Sequence, residues 1–358
     1  MTDPYSAGTR NLLEPPAFAA LFHKYPPAGF TCTPNAMGLP LFFKDFDLLT
    51  TLDPTVRNRL VNFPFSAALA RTLTFPTCFA GTTVTEYVPL PGGVPPGELI
   101  NGFLPRQSDC RPLIIIKDLP AASPLLPDDD NAYSKELARI AVKRGFMAVE
   151  GQALAYLPLD FRTMDGYFAI LSPGRRKDLR RKMKTRAAID VDVLPIGDSR
   201  FADGIFLDEL YAMYLEVYEQ SQVHFDLLSP QFFAALLCSR EIGGIAVCYR
   251  HQGVLAGYNI CLMHNGLFID KYIGFRYPLA RELNLYFVSW LVNLEIAMQN
   301  GCSTYLAGWT DPEVKAALGA RFTFTRHLVW VRNPVLRRIL YPLRHFFESD
   351  SRALGGKP

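Results

Sequence analysis

A chain of 358 residues, nearly half of them apolar and a fifth charged, has material for two packed domains and is too apolar to be disordered along its length. A formal net charge of +3 is too weak to argue a nucleic-acid or membrane partner from the total alone, so the distribution of charge decides more. The seven cysteines are scattered without a CxxC pair, which signals neither a zinc site nor a disulfide framework and fits reduced thiols in a cytoplasmic protein. No basic segment followed by an apolar one marks a secretory signal. No apolar run reaches the roughly 18 residues of a transmembrane helix.

The first half is dense in proline. Pro89–Pro96 and Pro120–Pro127 read as loops, with short stretches at Leu39–Phe43, Thr82–Tyr87 and Leu113–Lys117 between and beside them. Leu113–Lys117 is a β-branched run and predicts a buried strand. Asn131–Arg144 carries Leu137, Ile140 and Ala141 on one helical face and closes at Gly145. Phe146–Leu157 follows as a strand. This half is a loop-rich α/β region without nameable chemistry.

At the join, Ser172-Pro173 reads as an N-cap with proline at the first helical position. The helix behind it, 173–186, carries Arg175, Arg176, Lys177, Arg180, Arg181, Lys182, Lys184 and Arg186 against Asp178 alone. Such a run is either a solvated face or a surface for an anionic partner: tRNA phosphates, an acidic carrier protein or a phosphate-rich donor.

The second half has cleaner periodicity. Ile189–Pro195 alternates as a strand, Phe206–Gln222 has helical spacing, and Ser229-Pro230 starts a second helix. Three strands follow, Ile242–Tyr249, Val254–Met263 and Leu267–Phe275, with Asn265-Gly266 as a strong hairpin signal. A single long helix is expected over Ala280–Gln299, ended by Gly301. A strand at Ser303–Ala307, a short helix at Glu313–Leu318 and a strand at Phe322–Val331 come next. Val335–Phe347 reads as an amphipathic tail helix.

Particular residues reinforce this order of elements. Leu255-Ala256-Gly257, Asp270-Lys271-Tyr272-Ile273-Gly274, Ala297 with Gly301, Gly308-Trp309-Thr310, and Lys315 with Leu318-Gly319 stand in succession, and Leu171–Lys182 precedes them. In these motifs the chain resembles the GNAT (acyl-CoA N-acyltransferase) superfamily, in its Fem-like, peptidoglycan biosynthesis and recognition branch. The resemblance covers the second half from about residue 165; the first half matches loosely, as a degenerate copy. It implies an α/β (α+β) fold of tandem GNAT-like domains, each a mixed, mostly antiparallel sheet flanked by helices. The expected division is 1–165 and 166–358.

The implied activity is transfer of an acyl or aminoacyl group from acyl-CoA, acyl-carrier protein or aminoacyl-tRNA to an amine, with no tightly bound cofactor and no metal. Such a reaction needs a deprotonated amine, a polarised carbonyl and both held in line. Strand alternation puts Asp270 and Tyr272 on one face, Asp270 as general base, directly or through water, and Tyr272 as positioning residue or acid, or both as structural polar groups. The resemblance places the donor at the turn Gly274–Arg281, with Arg276, Ala280 and Arg281, and at Tyr286. That turn lacks the usual glycines, and Pro278 removes a donor N–H, a departure that favours aminoacyl-tRNA or a carrier arm over CoA. His224 and Asp226 fall in the loop expected to line the acceptor, His224 as a catalytic candidate, and Trp309, Thr310 and Lys315 are its other wall. Arg175, Arg176, Arg180 and Arg181 would meet the anionic partner. Two other functions stay open: a non-catalytic binding module, and a lipid acyltransferase resting on its tail helix.

Overall fold

The computed structural model describes residues 5, 8–34, 37–48, 73–108, 111–221 and 224–343. In chain order the first part holds α1 (Pro16–Lys24), β1 (Thr31–Pro34), β2 (Pro40–Asp47), β3 (Thr74–Ala80), α2 (Pro96–Ser108), β4 (Leu113–Pro120), α3 (Asp128–Lys143) and β5 (Met147–Pro158). Next come α4 (Met164–Ile170), α5 (Pro173–Lys182), β6 (Asp190–Pro195), α6 (Gly204–Gln220), α7 (Pro230–Cys238), β7 (Gly244–His251), β8 (Val254–His264) and β9 (Leu267–Phe275). Then follow α8 (Leu279–Glu282), α9 (Leu285–Gln299), β10 (Thr304–Gly308), α10 (Pro312–Ala317), β11 (Arg321–Val331) and α11 (Pro334–Leu343).

Contacts divide the chain into two compact units: residues 1–154 with 323–358, and residues 155–322. This differs from a single cut after residue 165, because β11 pairs antiparallel with β4 and so returns the chain to the first unit. Each unit runs an antiparallel meander into a parallel pair, the meander having three strands in the first unit and four in the second. In the first, β1, β2 and β3 pair antiparallel and β3 then pairs parallel with β4. In the second, β6 to β9 form an antiparallel meander, β9 pairs parallel with β10, and β10 pairs antiparallel with Ala155–Pro158 of β5. The architecture is therefore tandem and GNAT-like, a mixed and mostly antiparallel sheet with helices in each unit.

Local chemistry explains much of the second unit. Ser172 caps α5 by accepting from Arg175 N–H, and Ser229 caps α7 by accepting from Phe232 N–H. Asn265 and Gly266 take φ of 48° and 76°, the left-handed pair a tight hairpin needs. Gly274 is demanded by packing: a Cβ there would lie 2.2 Å from the Tyr258 ring. Phe268, Leu291, Leu294 and Tyr305 are among the side chains that fill the core between sheet and α9.

The first unit holds more regular structure than its sequence announced. Pro16 and Pro96 begin helices, where a missing N–H does no harm, and do not mark loops. The short stretch Thr82–Tyr87 is a mostly buried irregular segment after Gly81, whose φ is 129°. The expected long helix is two pieces, α8 and α9, because Asn284 between them is left-handed at φ 53°. Of the expected tail helix, 344–347 lie outside the described residues. No helix among the described residues is long and apolar enough to cross a membrane.

Candidate active site

The second unit opens where β9 and β10 part. They are paired only through Leu267–Ile269 and Thr304–Leu306. Beyond that point both strands are irregular. The register of β9 against β8 shifts, with Cys261 opposite Asp270 but Ile260 opposite Tyr272, so Lys271 is a bulge residue. On β10 the register against β5 shifts between Leu306 and Gly308. A bulge bends its strand and increases its twist, which separates two strands that would otherwise stay paired.

The bulge overturns one expectation. Asp270 and Tyr272 do not share a face, because the extra residue between them reverses the alternation. Tyr272 points to the α6 and α7 side, edge-on to Tyr214 and Phe232 at centroid distances of 6.4 and 6.5 Å. Asp270 points to the α9 side. There its carboxylate accepts from Asn259 Nδ2 at 2.9 Å, Asn293 Nδ2 at 3.1 Å and Tyr305 O–H at 2.7 Å, with Cys261 Sγ at 3.8 Å. Burial pushes the Asp270 carboxyl above the ordinary carboxylate range. The hydrogen bonds from Asn259 and Tyr305, the Lys315 charge and the Asn293 bond pull the other way. The residue is nonetheless only half-buried, as are Lys271, Tyr272 and Ile273 after it, so this stretch faces an opening.

Lys315, on α10, is 5 % exposed, and its ammonium charge reaches Asp270. Tyr286, in the first turn of α9, feels the charges of both Asp311 and Asp270. Trp309 is half-buried and Thr310 exposed in the β10–α10 turn, where Gly308 and Asp311 are left-handed. Asp270 thus lies within electrostatic reach of both Lys315 and Tyr286. His224 and Asp226 belong with Tyr272 on the α6 side: His224 stacks on Tyr218 at 4.9 Å, and the Asp226 charge acts on Tyr214 and Tyr218. Sequence reasoning passed over Asn259, Asn293 and Tyr305. Asparagines inside apolar segments were the available signal, since buried amides require partners.

The expected donor turn is already occupied by the protein. Arg276 Nη2 pairs with Glu209 at 2.7 Å and its Nε donates to Leu255 O. Tyr277 N–H donates to the Glu216 carboxylate at 2.9 Å, and Ala280 N–H donates to Arg276 O. Arg281 stacks on Tyr277 and donates to Gln220 Oε1. Two α6 carboxylates therefore sit where an anion would bind this turn. The basic helix α5 and the segment after it meet the start of α9 and the residue before Asn284: Lys182 lies over the Phe287 ring at 3.4 Å, and Thr185 Oγ1 donates to Leu283 O. Arg175, Lys177 and Lys184 of this region are exposed, without a carboxylate partner among the described residues. Arg176 is half-buried and donates to Leu171 O; Arg180 lies over Phe168; Arg181 pairs with Asp178.

No protein-family model matches the sequence, and no curated protein matches it. Solved structures do. The C-terminal domain of a putative lysylphosphatidylglycerol synthetase from Agrobacterium fabrum is similar at TM-score 0.54 and 10 % identity, over 90 % of this chain and 89 % of that one. L-PGS from Bacillus licheniformis is similar at 0.55 and 10 %, over 93 % and 96 %. FemX is similar at 0.52 and 11 %, over 95 % and 96 %. At such identities the likeness is one of fold, and the fold is GNAT-like of the Fem-like kind.

Proposed function

We propose that the chain transfers an acyl or aminoacyl group from a carrier to an amine in the opening between β9 and β10. The observation that carries this is the parting of a parallel strand pair at a bulge, with the Asp270 carboxylate held there by Asn259, Asn293 and Tyr305. Backbone N–H groups along a parted strand edge are fixed donors for a carbonyl that gains negative charge, and fixed donors need no reorganisation during reaction. The buried Lys315 ammonium adds positive charge. Asp270, with its raised carboxyl, orders the asparagine and tyrosine donors and stands within reach of an amine proton, directly or through water. The proteins named FemX and lysylphosphatidylglycerol synthetase have the same fold, which supports the reading.

The donor this reading favours is aminoacyl-tRNA. Glu209 and Glu216 oppose a diphosphate at the turn, whereas the exposed cations of α5 suit a phosphate backbone. The test is a thermal melt with CoA, acetyl-CoA, a long-chain acyl-CoA and mixed aminoacyl-tRNA. A ligand at about 100 times its dissociation constant stabilises by roughly 2.7 kcal/mol, a shift of a few degrees. A shift with aminoacyl-tRNA alone supports the favoured donor; a shift with the CoA compounds moves the donor to acyl-CoA. The filled turn also favours a second reading, a binding module without catalysis, and an absence of any shift supports that one.

A further inference from the structure

The two oxygens of the Asp270 carboxylate are not held alike. Oδ2 accepts from Asn259 Nδ2 at 3.2 Å, Asn293 Nδ2 at 3.1 Å and Tyr305 O–H at 2.7 Å. Oδ1 accepts from Asn259 Nδ2 at 2.9 Å and has the Cys261 thiol besides, at 3.8 Å. A carboxylate oxygen offers about two acceptor sites. Oδ2 is therefore saturated, while Oδ1 keeps a site that a long and weak thiol contact hardly uses. The donors come from β8, α9 and β10, and Asn259, Asn293 and Tyr305 are all fully buried. In this fold they act on the carboxylate and not on a substrate.

The donors are themselves fixed. Tyr249 O–H donates to Asn293 Oδ1 at 3.4 Å, which leaves Nδ2 as the end that meets Asp270. The Tyr305 ring lies edge-on to Trp290 at 4.9 Å and stacks on Phe268 at 5.7 Å. An amide N–H donates and cannot accept, so two asparagine amides turned this way suit a carboxylate better than a carboxylic acid. We propose that Tyr305 and Asn293, with Tyr249 behind, are positioning residues that hold Asp270 by Oδ2 and leave Oδ1 to take the proton of the acceptor amine. This rests on the acyl-transfer reading above. In that step the amine nitrogen forms the C–N bond while the C–O or C–S bond to the carrier breaks. The proton passes from nitrogen to Oδ1 and on to the departing oxygen or sulfur, so nothing further is consumed. Of the other titratable groups that act on Asp270, Lys315 carries the opposite charge. Burial keeps Cys261, Tyr249, Tyr286 and Tyr305 protonated at neutral pH.

The test follows the titration of Asp270 in the whole protein by carboxyl-carbon NMR, with Asp270→Asn assigning the signal, beside the pH profile of transfer. Tyr305→Phe keeps the ring and removes one donor from the charged form. Asp270 should then titrate about one to two pH units higher, the worth of one hydrogen bond to a charged group, and the acid limb of transfer should rise with it. Tyr249→Phe acts only through Asn293 and should move both in the same direction by less. A packing role alone would lower the melting temperature and leave both where they are. An Asp270 titration that is unchanged or lower in Tyr305→Phe overturns the proposal. Should that variant not fold, an unchanged titration in Tyr249→Phe does the same. The donor panel separates the two ideas. A titration that follows Tyr305 without transfer from any donor keeps the hold on Asp270 and sinks the acyl-transfer reading. Transfer whose pH profile ignores Tyr305→Phe sinks the proposal and keeps that reading.

Discussion

The two units share the step from meander to parallel pair and use its weak point differently. In the first, the parallel pair runs from Thr77–Ala80 against Leu113–Ile116, and the chain then turns away at Gly81. The residues that follow, Thr82 to Leu90, are buried except for a half-buried Thr83. Thr82 and Thr85 bond each other at 2.6 Å, Glu86 N–H donates to Glu14 Oε1 at 2.8 Å, and Tyr87 O–H donates to Ser123 at 2.8 Å. Asp118, left-handed at φ 56° in a bulge of its own, gives its N–H to His327 Nδ1 and is 3 % exposed. In the second unit the equivalent stretch, Asp270–Ile273, stays half-buried and lies beside a lysine and a tyrosine. A parted strand pair is thus a place, not a function: side chains decide whether it is plugged or left accessible.

The largest test of this contrast is Asp270→Ala. It leaves donors on Asn259, Asn293 and Tyr305 without an acceptor and should destabilise the protein by about 3 kcal/mol, read by urea unfolding. Asp270→Asn retains the shape and should cut transfer at least about tenfold; unchanged transfer would remove the carboxylate from the chemistry. Gly274→Ala should cost roughly 1–3 kcal/mol by forcing a Cβ against Tyr258, with little tolerance because both are strand residues. Tyr87→Phe removes the matching polar contact of the first unit. It should cost about 1 kcal/mol and leave transfer untouched, and a transfer defect would mean that the first unit takes part in catalysis.

The pH dependence has a defined sign. The folded pKa of Asp270 is raised, so the folded state holds its proton longer than the unfolded chain does. Its contribution to stability therefore falls as pH rises from the ordinary carboxylate value to the raised one, and ionised Asp270 costs stability above it. If transfer needs the carboxylate, its acid limb should lie above the ordinary carboxylate range and vanish in Asp270→Asn. The smallest effect on the fold is expected of the double variant Lys177→Glu, Lys184→Glu. Its melting should be unchanged, while the slope of log affinity for tRNA against log salt should shrink by up to about two. An unchanged slope would take α5 out of donor binding.

The sequence alone was enough for what is local. The Ser-Pro starts of α5 and α7 follow from side-chain capping and a proline that needs no N–H. The β7–β9 meander follows from alternation closed by turns able to take positive φ. The GNAT-like order of elements was legible from motifs, whereas the nearness of Lys315 to Asp270 was not. What is decided at a distance was not legible. A single extra residue at Lys271 moved Asp270 and Tyr272 to opposite faces, because strand alternation holds only while the register does. Two carboxylates of α6, some sixty residues upstream, took the N–H and guanidinium of the Arg276 turn. The return of β11 to the first unit depends on pairing with β4, far away in the chain. Caps and turns are satisfied within a few residues, whereas bulges, buried carboxylate partners and strand neighbours are chosen by whichever distant group lowers the energy of the packed whole.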